Sequence, residues 1–356
     1  MTKLAYAVLA LCFAVAVAAN AAPAIHVEEP IYDFGEVVEG YAVEHTFTIQ
    51  NIGNEVLEIN KVRASCGCTT TELETDRLAP GQSVTLGVLV NTTAFGGRIS
   101  KSIYVYANDP NYADSTESSL PTYTLKVTGV VTRAQEYNMT TYDLSYNYYV
   151  LIDVRGADAY ASGHILGAIN LPFAELDGGL DTLPSDAWLI LYDQDGTTGA
   201  AAAQTLIASG FSSAWYLLGG MSAWHYFYGS DYITPAQTPS EGVNPGAVAC
   251  NAGDLCMRPQ LFHDNYFMLI IDQRSADSYV ASHLLGAVNV PQAQVEQWLN
   301  PFPRDMTVVL YDQGNVASDA VVETLALHQF TNAWSLLGGF DEWVRQFGDR
   351  YVVTAD

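Results

Sequence analysis

The chain has 356 residues, with 39 acidic against 14 basic side chains, and carries a formal charge of −25. So acidic a chain is not a sequence-independent binder of nucleic acid or of an anionic membrane, because both partners need a basic face. Apolar residues make up 49% of the sequence, enough for packed cores, and the length allows several domains.

Lys3, the apolar run over residues 4–18 and the small residues Ala19-Asn20-Ala21 read as a secretory signal peptide over residues 1–21. Its removal takes Lys3 with it and leaves a charge of −26 on the mature chain, which is expected to be periplasmic or secreted. The apolar run is short and its residues small for a bilayer crossing, and Leu11 is too large for a lipoprotein box ahead of Cys12. No other stretch is apolar enough, so no membrane span is expected.

Residues 24–133 alternate in polarity over 44–50, 83–90 and 121–127, with turn signals at Asn51-Ile-Gly-Asn54, Pro80-Gly81 and Asn108-Asp-Pro110. Short strands at this spacing predict an all-β immunoglobulin-like sandwich. Within it Asp33-Phe-Gly-Glu-Val37, His45-Thr-Phe47, Asn51-x-Gly-Asn54, Ser65-Cys-Gly-Cys-Thr69 and Ala79-Pro-Gly81 resemble DUF1573, a family of exported bacterial domains of unknown function. That resemblance implies adhesion or scaffolding and brings no chemistry with it.

The remainder is one sentence written twice. Asp153-Val-Arg155, Asp158, Tyr160, His164, Gly167, Asn170 and Pro172 recur 119 positions later as Asp272-Gln-Arg274, Asp277, Tyr279, His283, Gly286, Asn289 and Pro291. The same displacement carries Tyr192-Asp193-Gln194 onto Tyr311-Asp312-Gln313, Leu217-Leu-Gly-Gly220 onto Leu336-Leu-Gly-Gly339, and Trp224 onto Trp343. A period of this length is a whole domain rather than a solenoid repeat, so two copies follow, over 137–230 and 258–350, joined by a linker over 231–257. In each copy, unbroken apolar runs (149–152 and 188–192; 268–271 and 307–311) read as strands of a parallel sheet buried on both faces. A polar loop follows the second run, then a helix over 200–209 or 318–328. That loop lies at the carboxyl end of a strand and the start of a helix, where open α/β sheets place their sites.

The pattern Asp-x-Arg-x4-Tyr, then Gly-His-Ile-x-Gly-Ala-x-Asn-x-Pro, with the later Gly-Gly-x3-Trp, resembles the rhodanese family; the second copy has Ser282 where the first has Gly163. The resemblance implies an α/β fold and, in active members, a cysteine opening the loop, whose thiolate carries sulfur as a persulfide. Here the position falls on Asp193 in Asp193-Gln194-Asp195-Gly196-Thr197-Thr198-Gly199 and on Asp312 in Asp312-Gln313-Gly314-Asn315-Val316-Ala317-Ser318. A carboxylate forms no persulfide, so neither copy has the covalent nucleophile. Both resemble the non-catalytic half of tandem sulfurtransferases. No lysine follows Ala134, and the only arginines there are Arg155, Arg258, Arg274, Arg304, Arg345 and Arg350, none of them in either of these two loops. Asp193 and Asp312 are expected to fill the loop amides from within, as an N-cap does. His164, His283 and the Asp153–Arg155 and Asp272–Arg274 pairs read as scaffold. Asp193 with Asp195 would suit a hard cation, but the second copy has Gly314 in place of Asp195, and neither a metal nor a cofactor is expected. The tyrosines Tyr142, Tyr146, Tyr148, Tyr149, Tyr226 and Tyr228 fit either the wet edge of a core or a binding surface.

With Cys12 lost in the signal, four cysteines remain. Cys250 and Cys256 flank a short loop and are expected to bridge, whereas Cys66-Gly-Cys68 is a candidate for redox chemistry or a soft metal. The expected function is that of an exported, catalytically silent rhodanese-like protein that binds an exported protein or a small ligand. The alternative is a periplasmic sulfurtransferase or sulfur carrier that uses Cys66 or Cys68.

Overall fold

A computed structural model describes residues 21–112, 123–235, 250, 255–314 and 316–355. The expected signal peptide with Cys12, most of the linker, and Asn315 lie outside the described residues. The chain divides into two compact units, one comprising Met1–Gly35, Val43–Val90 and Arg98–Gly129, the other Glu36–Ala42, Asn91–Gly97 and Val130–Asp356.

The N-terminal region is β-rich. One sheet orders the strands Ile25–Val27, Ala42–Asn51, Ser83–Asn91 and Thr69–Leu73. The other orders Ile31–Val38, Tyr123–Thr132, Gly97–Ala107, Leu57–Ala64 and Arg77–Leu78. Period-2 patterning becomes one-sided burial: Val84, Leu86, Val88 and Val90 are buried along one strand, Leu125, Val127 and Val131 along another. The Phe34 ring lies against Gly129, where an added Cβ would sit 2.3 Å from Phe34 Cε2. Part of the Asp33-Phe-Gly motif is therefore explained by close packing. Cys66 and Cys68 are joined as a disulfide. Bonded to each other, neither offers a thiolate in this state.

Each copy in the second unit builds a five-stranded sheet from parallel pairs. The first orders Ile169–Asn170, Tyr149–Asp153, Trp188–Tyr192, Ser213–Leu217 and Cys256–Met257. The second orders Asn138–Met139, Ala333–Leu336, Val308–Tyr311, Leu269–Asp272 and Val288–Asn289. The central strands are buried throughout, as their unbroken apolar runs require. The helices after the loops run over Thr197–Ala208 and Val316–Leu327 and so begin earlier than the sequence indicates. Thr, Gly and Val are modest helix formers, and what starts these helices is the fixing of the loop amides described below.

The edge strands are exchanged. Asn138–Met139 opens the first copy but pairs with Ser335 and Leu336 of the second. Cys256–Met257 precedes the second copy but pairs with Tyr216 and Leu217 of the first. The helices that follow them cross over too: Thr141–Asn147 packs on Gly339–Phe347, and Pro259–Asn265 packs on Gly220–Tyr228. At the crossing point the Tyr149 hydroxyl donates to the Met268 carbonyl at 2.8 Å and accepts from the Met268 amide at 2.9 Å. Tyr148 donates to the Leu285 carbonyl at 2.6 Å. One continuous apolar cluster runs from Leu144 through both copies to Tyr351. Tyr148 and Tyr149 are thus core residues with satisfied hydroxyls, while Tyr142 and Tyr146 stay exposed. Cys250 and Cys256 form a disulfide beside the exchanged strand.

Candidate functional site

In each copy the central strand delivers an aspartate to the mouth of the loop. Asp193 is buried, and its carboxylate accepts from the Gly196 amide at 2.5 Å and the Thr198 amide at 2.7 Å. Asp312, half-buried, accepts from the amides of Gly314 at 2.8 Å, Ala317 at 2.6 Å and Ser318 at 3.0 Å. Amides that in an open loop would face an incoming anion are committed to a carboxylate of the chain itself. The arrangement differs from a simple N-cap, because Gly196 occupies the cap position of its helix and Asp193 reaches in from three residues earlier. Asp195 accepts from the Thr197 amide at 3.0 Å. That hydrogen bond, reinforced by the Thr197 hydroxyl, holds the Asp195 carboxyl below the usual carboxylate range.

The opposite wall is a glycine pair. The Met221 amide donates to the Asp193 carbonyl at 2.8 Å, and Phe340 repeats this on Asp312 at 2.9 Å. Gly220 and Gly339 have φ of +51° and +58°, and an added Cβ would meet the Asp193 or Asp312 carbonyl oxygen at 2.5 Å. No other residue fits there, which is why Gly-Gly recurs in both copies.

Beneath the loops lie the signature residues. Arg155 donates from Nε to both Asp153 oxygens at 2.9 and 3.1 Å, and from Nη2 to Asp153 at 2.6 Å and the Gly163 carbonyl at 2.6 Å. Arg274 repeats this on Asp272 and the Ser282 carbonyl. Ser282 contributes only its carbonyl, which is why it can replace Gly163 in this contact. The remaining Nη1 of each arginine reaches a loop glutamine, Gln194 at 3.4 Å and Gln313 at 3.2 Å. Those glutamines are tied in turn to Ser222 and to Asp341. These third-layer partners lie far along the chain and carry no signal in the sequence. Asn170 and Asn289 each bind two main-chain carbonyls, completing the scaffold. Among the described residues no cluster of three or more metal-ligating side chains occurs. No helix of the described residues is long and apolar enough to cross a membrane.

Replacing Asp193 or Asp312 by Ala should cost about 0.5–2 kcal/mol each, the usual worth of a side chain that satisfies helix-start amides. Asn should cost less, since it keeps one acceptor. Urea unfolding of the full chain measures this, and unchanged stability would mean that the amides find water just as readily.

His164 and His283 stack on Tyr160 and Tyr279 at 3.7 and 3.9 Å, with each Nδ1 against the same tyrosine's carbonyl at 3.0 and 2.8 Å. Burial pushes both imidazoles below their ordinary value, and the carbonyl contacts oppose this only in part. A base whose folded pKa is depressed favours the fold while neutral. Its contribution is present above the unfolded value of about 6.5 and is lost as pH falls through the folded value. Urea midpoints should therefore fall between about pH 7 and 5, and the His164→Asn/His283→Asn double variant should show a shallower fall. An unchanged slope would assign the loss to carboxylates alone.

Set against known proteins, residues 139–226 and 260–346 match the family model described as "Rhodanese-like domain", and residues 25–118 match "Protein of unknown function (DUF1573)". The thiosulfate sulfurtransferase GlpE of Shewanella oneidensis is 35% identical over 75 residues, 21% of this chain and 74% of that protein. The uncharacterized protein YqhL of Bacillus subtilis is 36% identical over 74 residues, 21% of this chain and 59% of that protein. The chain thus spans less than two thirds of that second relative's length. A solved Rhodanese_3-like domain from Anabaena sp. is 28% identical, covering 22% of this chain and 93% of that chain at a TM-score of 0.22.

Proposed function

From the premise that the chain belongs to the rhodanese-like family, we propose that it is an exported protein whose paired rhodanese-like domains are silent as sulfurtransferases. They act instead as a binding module for another exported protein or a small ligand. The observation that carries this reading is the pair of aspartates. Asp193 and Asp312 stand where a sulfur-carrying thiolate would stand and take up the loop amides that would cradle it. Arg155 and Arg274, which reach the loop glutamines, are paired with Asp153 and Asp272. A dianion such as thiosulfate would meet carboxylates with no free positive charge beside them. The signal-like residues 1–21, removed on export to the periplasm or beyond, fit the pair of disulfides. In this reading the N-terminal region is an immunoglobulin-like sandwich serving as a scaffold.

A sulfur-transfer assay on the mature chain, from thiosulfate to cyanide, with and without prior reduction, tests the reading. Background rates are expected in both arms. Turnover that survives replacement of Cys66, Cys68, Cys250 and Cys256 by Ser would overturn it. The similarity to sulfurtransferases keeps one rival in view, a sulfur carrier that uses the half-buried Cys66 and Cys68 after reduction. Turnover abolished by Cys66→Ser or Cys68→Ser would establish that rival instead.

A further inference from the structure

The exchange of edge elements creates the same seam twice, where an incoming helix meets the last helix of the other copy. At one seam Trp224, Tyr228, Tyr232 and Phe267 surround the imidazole of His263. Its ring is stacked 4.3 Å from Tyr228, lies 4.8 Å from Tyr232, and is parallel to Phe267 at 5.9 Å. Nδ1 sits 2.9 Å from the Asp264 carboxylate. The other seam repeats the box with Trp343, Phe347, Tyr351 and Tyr148, each 119 positions from its counterpart. The exchanged segments align with a displacement of 118, since Asn138 and Cys256 hold matching register positions on their host strands. On that alignment Ser145 stands where His263 stands, and the ring is missing. What remains is a cavity of about 340 Å³ whose walls include Tyr142, Tyr146, Trp188, Phe347, Arg350 and Tyr351.

The charge differs as well. Arg350 occupies the position of Asp231 at the sister seam. Its Nη2 pairs with the largely exposed Asp186 at 2.9 Å and reaches the Tyr351 hydroxyl at 3.2 Å, while Nη1 is 3.5 Å from the Ser145 hydroxyl. The guanidinium carbon lies 4.9 Å from the Tyr351 ring centroid. Its Nε is buried with no acceptor among the described residues, a state that costs free energy. An aromatic box with few polar groups converging on it is the usual make-up of a small-molecule pocket.

We propose that this seam pocket binds a small aromatic carboxylate, its ring taking the place that the His263 imidazole fills at the sister seam and its carboxylate accepting from Arg350. The proposal deepens the reading of the chain as a binding module. Its test reads occupancy rather than sulfur transfer, so the two can fail separately. The probe is 4-hydroxyphenylacetate, measured against the full mature chain by equilibrium dialysis and saturation-transfer NMR. Cyclohexylacetate, which lacks the aromatic ring, and 2-(4-hydroxyphenyl)ethanol, which lacks the carboxylate, are the comparators.

The probe is expected to bind one site, with each comparator at least about tenfold weaker, since ring stacking and a charge-assisted hydrogen bond each contribute on that scale. Ser145→His, which copies the filled seam, should abolish binding, and Arg350→Gln should weaken it about tenfold or more. If Ser145→His does not fold, Arg350→Gln and the comparators decide. No binding of the probe, equal binding of cyclohexylacetate, or undiminished binding in a folded Ser145→His or Arg350→Gln protein would overturn the proposal.

Discussion

A chain cut by a protease site inserted between residues 236 and 249 should stay in one piece under native conditions, its halves co-eluting, while the first copy should fail to fold when the half that ends at residue 235 is made alone. Without its partner the first copy loses the Cys256–Met257 edge strand and the Phe262 side chain, which is fully buried. It also keeps the exchanged helix, whose buried Leu144 then has no host helix to cover it. Removing a buried Phe costs about 3–5 kcal/mol and a buried Leu about 2–5 kcal/mol. The sum is comparable to the roughly 5–15 kcal/mol that holds a domain together. Size-exclusion chromatography of the cut protein and circular dichroism of the lone half read the outcome. Two halves that separate and each melt cooperatively would mean that the exchange contributes little.

Arg274→Ala should be among the most damaging single substitutions in the second unit, costing about 3–5 kcal/mol. Asp272 is fully buried, and Arg274 supplies its charge partner through Nε and Nη2. Removing the guanidinium leaves the carboxylate with the Tyr311 hydroxyl at 2.8 Å and the Arg274 main-chain amide at 2.9 Å, and no opposite charge. The exposed Arg77–Glu58 pair, at 2.7 Å, is the control. Arg77→Ala should change stability by less than about 1 kcal/mol, because water already solvates both partners. Guanidinium unfolding of each variant compares them, and equal losses would show that burial does not set the cost here.

The loop aspartates are legible in the sequence, because Tyr-Asp-Gln at the end of an apolar run appears in both copies and fixes where strand gives way to loop. Which amides they hold is not legible there, since that depends on the turn each loop makes: two amides for Asp193, three for Asp312 among the described residues. For the same reason the helix starts read two or three residues late from the sequence. Cys250 and Cys256, six residues apart across a short loop, are readable as a pair. Cys66 and Cys68, with one residue between them, point as readily to a metal or a redox centre as to the bridge they form.

By itself, then, the sequence determined that two copies of one α/β domain follow a β-rich region, that neither loop carries a thiol, and that the charge is strongly negative. These are properties of composition, local period and residue identity, which do not depend on how distant segments pair. Only the tertiary structure decided which strand completes which sheet and which seam is full. Strands as short as Asn138–Met139 and Cys256–Met257 show no periodicity, and main-chain hydrogen bonds at a parallel edge are blind to the side chains that carry a sequence signal. Their partners are chosen by the path of the chain and by where Leu144 and Phe262 find an apolar surface. That choice sets His263 in one aromatic box and leaves Ser145 at the other.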